Sequence, residues 1–306
     1  MRRWSPGFRA PGRRVVRALT AAGAAVLLGV VPACSGGPGS TGSPGQPATS
    51  TPDTGWDRSP SSVAAVGDSI TRGFDACSVL QDCPEVSWST GTDPQVHSLA
   101  QRLLGAGGVK GHSWNFARSG SRAAELSAQM EKAARHRPAL VTVLMGANDA
   151  CRPSVDSMTP VDEYRAQVET ALRTLREKSP ASQVYVSSVP DLKRLWSEGR
   201  SNPLGKEVWK LGICASMLSA PDAVDSAATE RRDAVQKRVV AYNEALREVC
   251  ARERMCRYDD GEVFAYRFGG SQLSQWDWFH PSRDGQSKLA EIAYRVVTAR
   301  KAPGQD

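Results

Sequence analysis

The chain has 306 residues, with 39 basic and 32 acidic side chains and a formal charge of +7. That length suits one sizeable α/β domain and is short for two. The charge would suit a nucleic acid or an anionic membrane, but six arginines (Arg2, Arg3, Arg9, Arg13, Arg14 and Arg17) precede the first acidic residue, Asp53. Without them 33 basic side chains face 32 acidic ones, and no later basic cluster carries interleaved aromatics, which argues against a nucleic-acid partner.

The first 34 residues read as an export signal: an arginine-rich stretch, an apolar run from Ala18 to Val31, then small residues. The run is too short to span a bilayer of about 30 Å. It ends in Val31-Pro32-Ala33-Cys34, which resembles a bacterial lipobox and makes Cys34 a lipidation candidate. Cleavage after Ala33 to give a free secreted protein is the alternative. Arg13-Arg14 leaves twin-arginine and general export both open. Residues 35–57 are nearly all Gly, Ser, Thr and Pro, cannot build a core, and read as a flexible tether. The folded domain is expected over 58–306, as a monomer whose only membrane contact is a lipid anchor.

Six further cysteines, Cys77, Cys83, Cys151, Cys214, Cys250 and Cys256, form an even set in an exported domain and read as a disulfide framework. Cys77 with Cys83 and Cys250 with Cys256 are the natural local pairs, which leaves Cys151 for Cys214. Other pairings stay open. A metal site is disfavoured, because no C-x-x-C occurs and no histidine stands at ligand spacing.

From Ser61 onward short apolar runs alternate with helical periodicity. Strands are expected at Ser62–Val66, Ser113–Ala117, Ala139–Met145, Gln183–Val189 and Met255–Tyr258, and helices around 95–104, 121–136, 161–178, 226–251 and 283–298. Ser282 is a candidate N-cap for the last helix. This alternation implies a parallel sheet covered on both faces, with chemistry at the carboxyl ends of its strands. Residues 190–225 fit no clear element. Their scattered apolar side chains suggest a lid or a substrate wall, or equally a small helix packed on the surface.

Four short motifs sit at these strand ends. Gly67-Asp68-Ser69 follows the first strand, where Ser69 would meet the N–H groups of a helix N-terminus. Asn115, Gly120 and Ser121 follow the second. Gly146-Ala147-Asn148-Asp149 follows the third, and Asp277-Trp278-Phe279-His280 precedes the last helix. A nucleophilic serine needs a base, a group to orient that base, and donors for the developing oxyanion. A carboxylate three residues before a histidine can fold back on the imidazole and fix its tautomer. Taken singly, these motifs are more often turns, caps and surface pairs. The chain holds four histidines, and His97, His112 and His136 have no patterned partner and read as structural.

Together and in this order, the motifs resemble the four blocks of the SGNH/GDSL hydrolase superfamily over about residues 61 to 298. Ser69, Gly120, Asn148 and His280 stand at the naming positions, with Ile70 in place of the usual leucine. The resemblance implies a three-layer α/β/α, flavodoxin-like domain with about five parallel strands and no cofactor. It implies a Ser69–His280–Asp277 triad and an oxyanion hole made by the Ser69 and Gly120 N–H groups and the Asn148 side chain. No Gly-x-Ser-x-Gly elbow surrounds Ser69, which argues against the other serine-hydrolase fold. The cysteines and leader further resemble exported actinobacterial esterases and lipases of that superfamily. The expected activity is hydrolysis of a small-molecule, lipid or glycan acyl ester through a covalent acyl-enzyme. O-acyl transfer to, or deacetylation of, cell-envelope polysaccharide is the alternative, and a non-catalytic surface-binding protein a more distant one. Trp88, Trp276 and Trp278 suggest an apolar-lined cleft.

Overall fold

A computed structural model describes residues 55–304. Residues 1–54, with the expected export leader, Cys34, Arg13-Arg14 and most of the expected tether, lie outside the described residues. No helix among the described residues is long and apolar enough to cross a membrane.

The chain runs through β1 (Val63–Gly67), α1 (Leu99–Leu104), β2 (Ser113–Asn115), α2 (Leu126–Ala134), β3 (Leu140–Leu144), α3 (Ala147–Ala150), α4 (Val161–Lys178) and β4 (Gln183–Val186). It continues through α5 (Leu192–Gly199), α6 (Pro203–Trp209), α7 (Ala215–Leu218), α8 (Ser226–Ala251), β5 (Cys256–Tyr258), α9 (Glu262–Ala265) and α10 (Arg283–Thr298). The five strands form one parallel sheet in the order β2-β1-β3-β4-β5. Every residue of β1, β3 and β4 is buried, as a strand covered on both faces requires, whereas edge strands β2 and β5 are partly open. Helices α2, α4 and α8 pack side by side as one layer, and α1 and α10 pack together in the other. This is the expected three-layer fold with five parallel strands.

The sheet order reverses between β1 and β3: the chain leaves β1 toward one edge and returns on the other side. A crevice opens at such a switch point beyond the carboxyl ends of the strands. Ser69 leaves β1 at that point, and the Asn148 segment leaves β3 directly beside it.

The segment 190–225 is helical rather than irregular. Three short helices, α5 to α7, carry Leu192, Leu195, Trp196, Trp209, Met217 and Leu218 into the core, while Leu204 and Leu211 stay exposed. The segment is firmly tied. Cys151–Cys214 bridges it to the end of α3, and Ser216 Oγ donates to the Ala150 carbonyl oxygen over 2.8 Å. The buried Arg232 guanidinium donates to the carbonyl oxygens of Met217, Ala220 and Ala223 and lies 4.0 Å over the Trp196 ring. A wall held in this way is fixed scaffolding. The remaining disulfides are Cys77–Cys83 and Cys250–Cys256, so the local pairing holds.

Candidate active site

Ser69 stands in the turn that leaves β1. Gly67 ends that strand at φ +149, and a Cβ there would lie 2.4 Å from the Leu144 carbonyl oxygen on β3. Only glycine fits so close an approach. The Gln129 side chain from α2 brackets the same residue, accepting from the Gly67 N–H at 2.7 Å and donating to its carbonyl oxygen at 3.0 Å. Past the serine, the N–H groups of Arg72 and Phe74 both donate to the Ser69 carbonyl oxygen, over 3.1 and 3.0 Å.

No helix starts here, contrary to the expectation that Ser69 meets a helix N-terminus. Residues 70–75 are turns, and the first α-helix, α1, begins at Leu99. Asp75 takes a left-handed φ of +57, which a right-handed helix cannot accommodate, and the Cys77–Cys83 bridge closes a tight loop immediately after it.

The residues before α10 fold back on themselves. Leu273 pairs antiparallel with Pro281, and the Ser274 N–H donates to the His280 carbonyl oxygen over 2.8 Å. Trp278 turns the chain at φ +51. Asp277 Oδ1 thereby accepts the N–H groups of Phe279 and His280, each at 2.9 Å, and Asp277 Oδ2 lies 2.5 Å from His280 Nδ1. His280 Nε2 in turn lies 2.9 Å from Ser69 Oγ. The partners assign the tautomer: Nδ1 carries the proton toward the carboxylate, and Nε2 faces the hydroxyl as an acceptor. Trp209 of α6 locks the loop by donating its indole N–H to the Asp277 carbonyl oxygen over 2.6 Å.

Burial would push His280 down, but the Asp277 carboxylate beside it outweighs that and holds the imidazole above its ordinary value. Burial would likewise raise Asp277, yet the facing imidazole and the two backbone N–H groups hold it below the usual carboxylate range. The pair is therefore built to stabilise an imidazolium.

Asp75 supplies a second acid at this spot. It is 1% exposed, and one of its carboxylate oxygens lies within 4.8 Å of an Asp277 oxygen and a His280 ring nitrogen. Asp75 Oδ1 accepts the Leu80 N–H, while Oδ2 has no hydrogen-bond partner. Burial and then the Asp277 charge push this carboxyl up to about 6. Nothing in the sequence marks Asp75, because it lies outside all four motifs and about two hundred residues from Asp277 in the chain. The three groups could geometrically surround a cation, but His280 Nδ1 is engaged with Asp277 and Nε2 with Ser69.

The loops after β2 and β3 join each other next to Ser69. Asn148 Nδ2 donates to the Ser121 carbonyl oxygen over 3.0 Å, and the Asp149 carboxylate accepts the Ala123 N–H at 3.0 Å. Arg118 N–H donates to the Gly67 carbonyl oxygen over 3.1 Å, which docks the Gly120 loop against the end of β1. Gly120 is exposed at φ +78. Among the described residues, neither the Ser69 N–H nor the Gly120 N–H makes a hydrogen bond, and Asn148 retains a second amide hydrogen. Asn115 serves the scaffold instead, donating from Nδ2 to the Thr71 carbonyl oxygen over 3.0 Å.

A small cavity of about 40 Å³ opens beside Ser69, Asn148 and His280. Its apolar walls are Ile70, Leu195, Ile213, Phe279 and the Cys151–Cys214 bridge. The 190–225 segment is thus a wall of this cavity. The tryptophans are elsewhere. Trp88 is core, 1% exposed, with its ring edge-on to Tyr185, and Trp276 and Trp278 border a separate, polar cleft of about 440 Å³. Burial in the core accounts for Trp88, while Trp276 and Trp278 belong to the polar cleft and not to the serine cavity. His97 and His112 are exposed, and His136 packs on the rings of Trp114 and Phe116.

Similarities to solved structures are distant. A protein from Parabacteroides merdae described as a GDSL-like lipase is 18% identical, with a TM-score of 0.47 over 77% of this chain and 94% of that one. The extracellular lipase from Streptomyces rimosus is 17% identical, with a TM-score of 0.44 over 78% and 99%. A family 3 carbohydrate esterase from Clostridium thermocellum is 12% identical, with a TM-score of 0.44 over 76% and 93%. Among curated proteins none matches. The sequence profile of the GDSL-like lipase/acylhydrolase family matches residues 65–288, a span that includes Ser69, Gly120, Asn148, Asp277 and His280. Matched over most of its length, the chain belongs to the GDSL-like lipase/acylhydrolase family.

Proposed function

We propose that this protein is an exported serine ester hydrolase working through a covalent acyl-enzyme. The observation that carries the reading is the continuous hydrogen-bonded relay from Ser69 Oγ through His280 to the buried Asp277 carboxylate. In this reading His280 Nε2 takes the hydroxyl proton as Ser69 Oγ attacks the ester carbonyl carbon. Asp277 keeps the ring oriented and offsets its new charge. The oxyanion is met by the Ser69 and Gly120 N–H groups and the free amide hydrogen of Asn148. His280 returns the proton to the leaving alcohol and then activates a water against the acyl-enzyme. Three disulfides support folding in an oxidising compartment, and export with or without lipidation at Cys34 belongs to the same proposal.

The decisive test is hydrolysis of p-nitrophenyl acetate and butyrate, with labelling by a fluorophosphonate probe. Wild-type protein hydrolyses the esters and takes the label; Ser69→Ala does neither. Activity retained in Ser69→Ala would remove the serine from the mechanism, and a wild-type protein that takes no label would leave only a binding role.

A second acceptor chemistry has one observation in its favour. The polar cleft lined by Gln95, Ser271, Ser274 and Trp276 adjoins the loop that carries Asp277 and His280, and Trp276 is 37% exposed there. An aromatic face among polar groups suits a sugar ring, as an acylated polysaccharide would require. Acyl transfer to a glycan in preference to water would establish it.

A further inference from the structure

The carboxyl of Asp75 has no place in the relay just described, yet it lies buried against it. Its backbone is fixed from both sides: the Asp75 N–H donates to the Gln81 carbonyl oxygen over 3.0 Å, and its carbonyl oxygen accepts the Ser274 hydroxyl over 2.6 Å. Ser274 is the residue that pairs with His280 across the back-folded loop, so Asp75 and His280 are held in one frame. The neighbouring Phe74 ring packs on the imidazole, with centroids 5.0 Å apart. Oxygen Oδ2, left without a partner, is the part of this frame that structure alone leaves unexplained. A buried lone acceptor costs stability unless something offsets it.

We propose that Asp75 is a positioning residue, a second carboxyl set beneath the Asp277–His280 pair that fixes the basicity of His280. The proposal rests on the ester-hydrolase reading for its kinetic meaning, but its physical content is independent of any substrate. Two carboxyls this close to one imidazole cannot titrate alone. When Asp75 is ionised, the imidazolium formed as Ser69 attacks faces two negative charges rather than one, and proton uptake is favoured. When Asp75 is protonated, that help is lost and the unpartnered oxygen can carry the proton toward Asp277.

Asp277 and His280 face Asp75 from the loop before α10, and Asp68 acts on His280 from the end of β1. On the turn that carries Asp75, Arg72 is paired with Asp82 at 3.2 Å. Asp149 of α3 acts on Asp68. The acids around the imidazole therefore all push its affinity for a proton upward.

The test uses full-length protein and two readouts. NMR titration of the imidazole, assigned by comparison with His280→Ala, needs no substrate. In wild-type protein it is expected to show two steps, the lower one reporting Asp75. In Asp75→Asn it is expected to show one step with its midpoint moved to lower pH. The acid limb of kcat/KM on p-nitrophenyl acetate should move the same way, with kcat lower and KM unchanged within about twofold. A merely structural role would lower both stability and activity without moving either midpoint. Equal midpoints in the two proteins, or a single-step wild-type titration where Asp75→Asn does not fold, would overturn the proposal. Absence of ester hydrolysis with the expected titrations would instead remove the hydrolase reading and leave this one standing.

Discussion

Asn148 Nδ2 donates to the Ser121 carbonyl oxygen over 3.0 Å, so the loop after β3 holds the loop after β2. The two loops come from strands on opposite sides of β1, and Ser69 leaves β1 between them. One amide thus offers two hydrogens: one fixes the Gly120 loop, and the other carries no hydrogen bond at the serine cavity that Asn148 lines.

Removing that amide should cost at least what one oxyanion donor is worth. Asn148→Ala is expected to lower kcat by about 10² to 10³, the range seen when a single side-chain donor of this kind is lost in subtilisin. KM should change little, because the interaction strengthens only as the oxyanion forms. Asn148→Asp keeps an acceptor where a donor is needed and should be at least as poor. Steady-state kinetics on p-nitrophenyl butyrate decide it; a loss below tenfold for Asn148→Ala would take the residue out of the oxyanion hole.

The serine cavity sets a limit on acyl length. At about 40 Å³ it holds roughly three water-sized groups, by the 10–15 Å³ each requires. Its walls have little room to give, since Cys151–Cys214 and the Ser216 hydrogen bonds pin them. Across p-nitrophenyl esters, kcat/KM is expected to peak at two to four carbons and to fall about 100-fold by eight, given that about tenfold or more can turn on a single misfitting methylene. Leu195→Ala and Ile213→Ala should shift the optimum to longer chains. A profile that rises through eight carbons in the wild type would show that the chain lies elsewhere.

Much of this was legible in the sequence, for identifiable reasons. Helices α4, α8 and α10 run over the residues their periodicity marks, and α8 and α10 start where Asp225 and Ser282 cap the N–H groups of Ala228 and Gly285. The helix expected at 95–104 starts only at Leu99, because His97 takes φ +50 and Ser98 forms a capping box with Gln101. Helix α5 does place Leu192, Leu195, Trp196 and Gly199 on one face, but over only eight residues, and α6 and α7 are too short to show a period. Each has at most two turns, and packing holds them rather than propensity. The Ser69, Gly120, Asn148 and His280 blocks could be read because each lies within a few residues of a strand end or helix start. Asp75, though only six residues after Ser69, could not, since only tertiary folding sets it against Asp277 and His280, and Ile213 could not, since only tertiary folding brings it to the serine cavity.

Stability should fall as pH rises from about 4 to 8. Burial pushes four carboxyls above their ordinary 3.8: Asp68 to about 7, and Asp75, Asp149 and Asp259 to about 6. An acid raised in the fold contributes stability that is whole below its unfolded value and is lost as pH climbs through its folded value. His280, also raised, adds to the same trend, while Asp277, held low, acts the other way only at more acidic pH. Asp68 is the clearest probe: fully buried, with Oδ1 accepting the Ile70 N–H at 3.0 Å and Oδ2 without a partner. At pH 8 its ionisation costs the fold on the order of 4 kcal/mol. Asp68→Asn keeps an acceptor for Ile70 and removes the charge. Any packing cost of the new amide is the same at every pH, so the informative quantity is the difference between two values. Thermal unfolding should show the variant gaining several degrees relative to wild type on going from pH 5 to pH 8. A variant that tracks wild type at both would mean Asp68 stays neutral or finds water across the whole range.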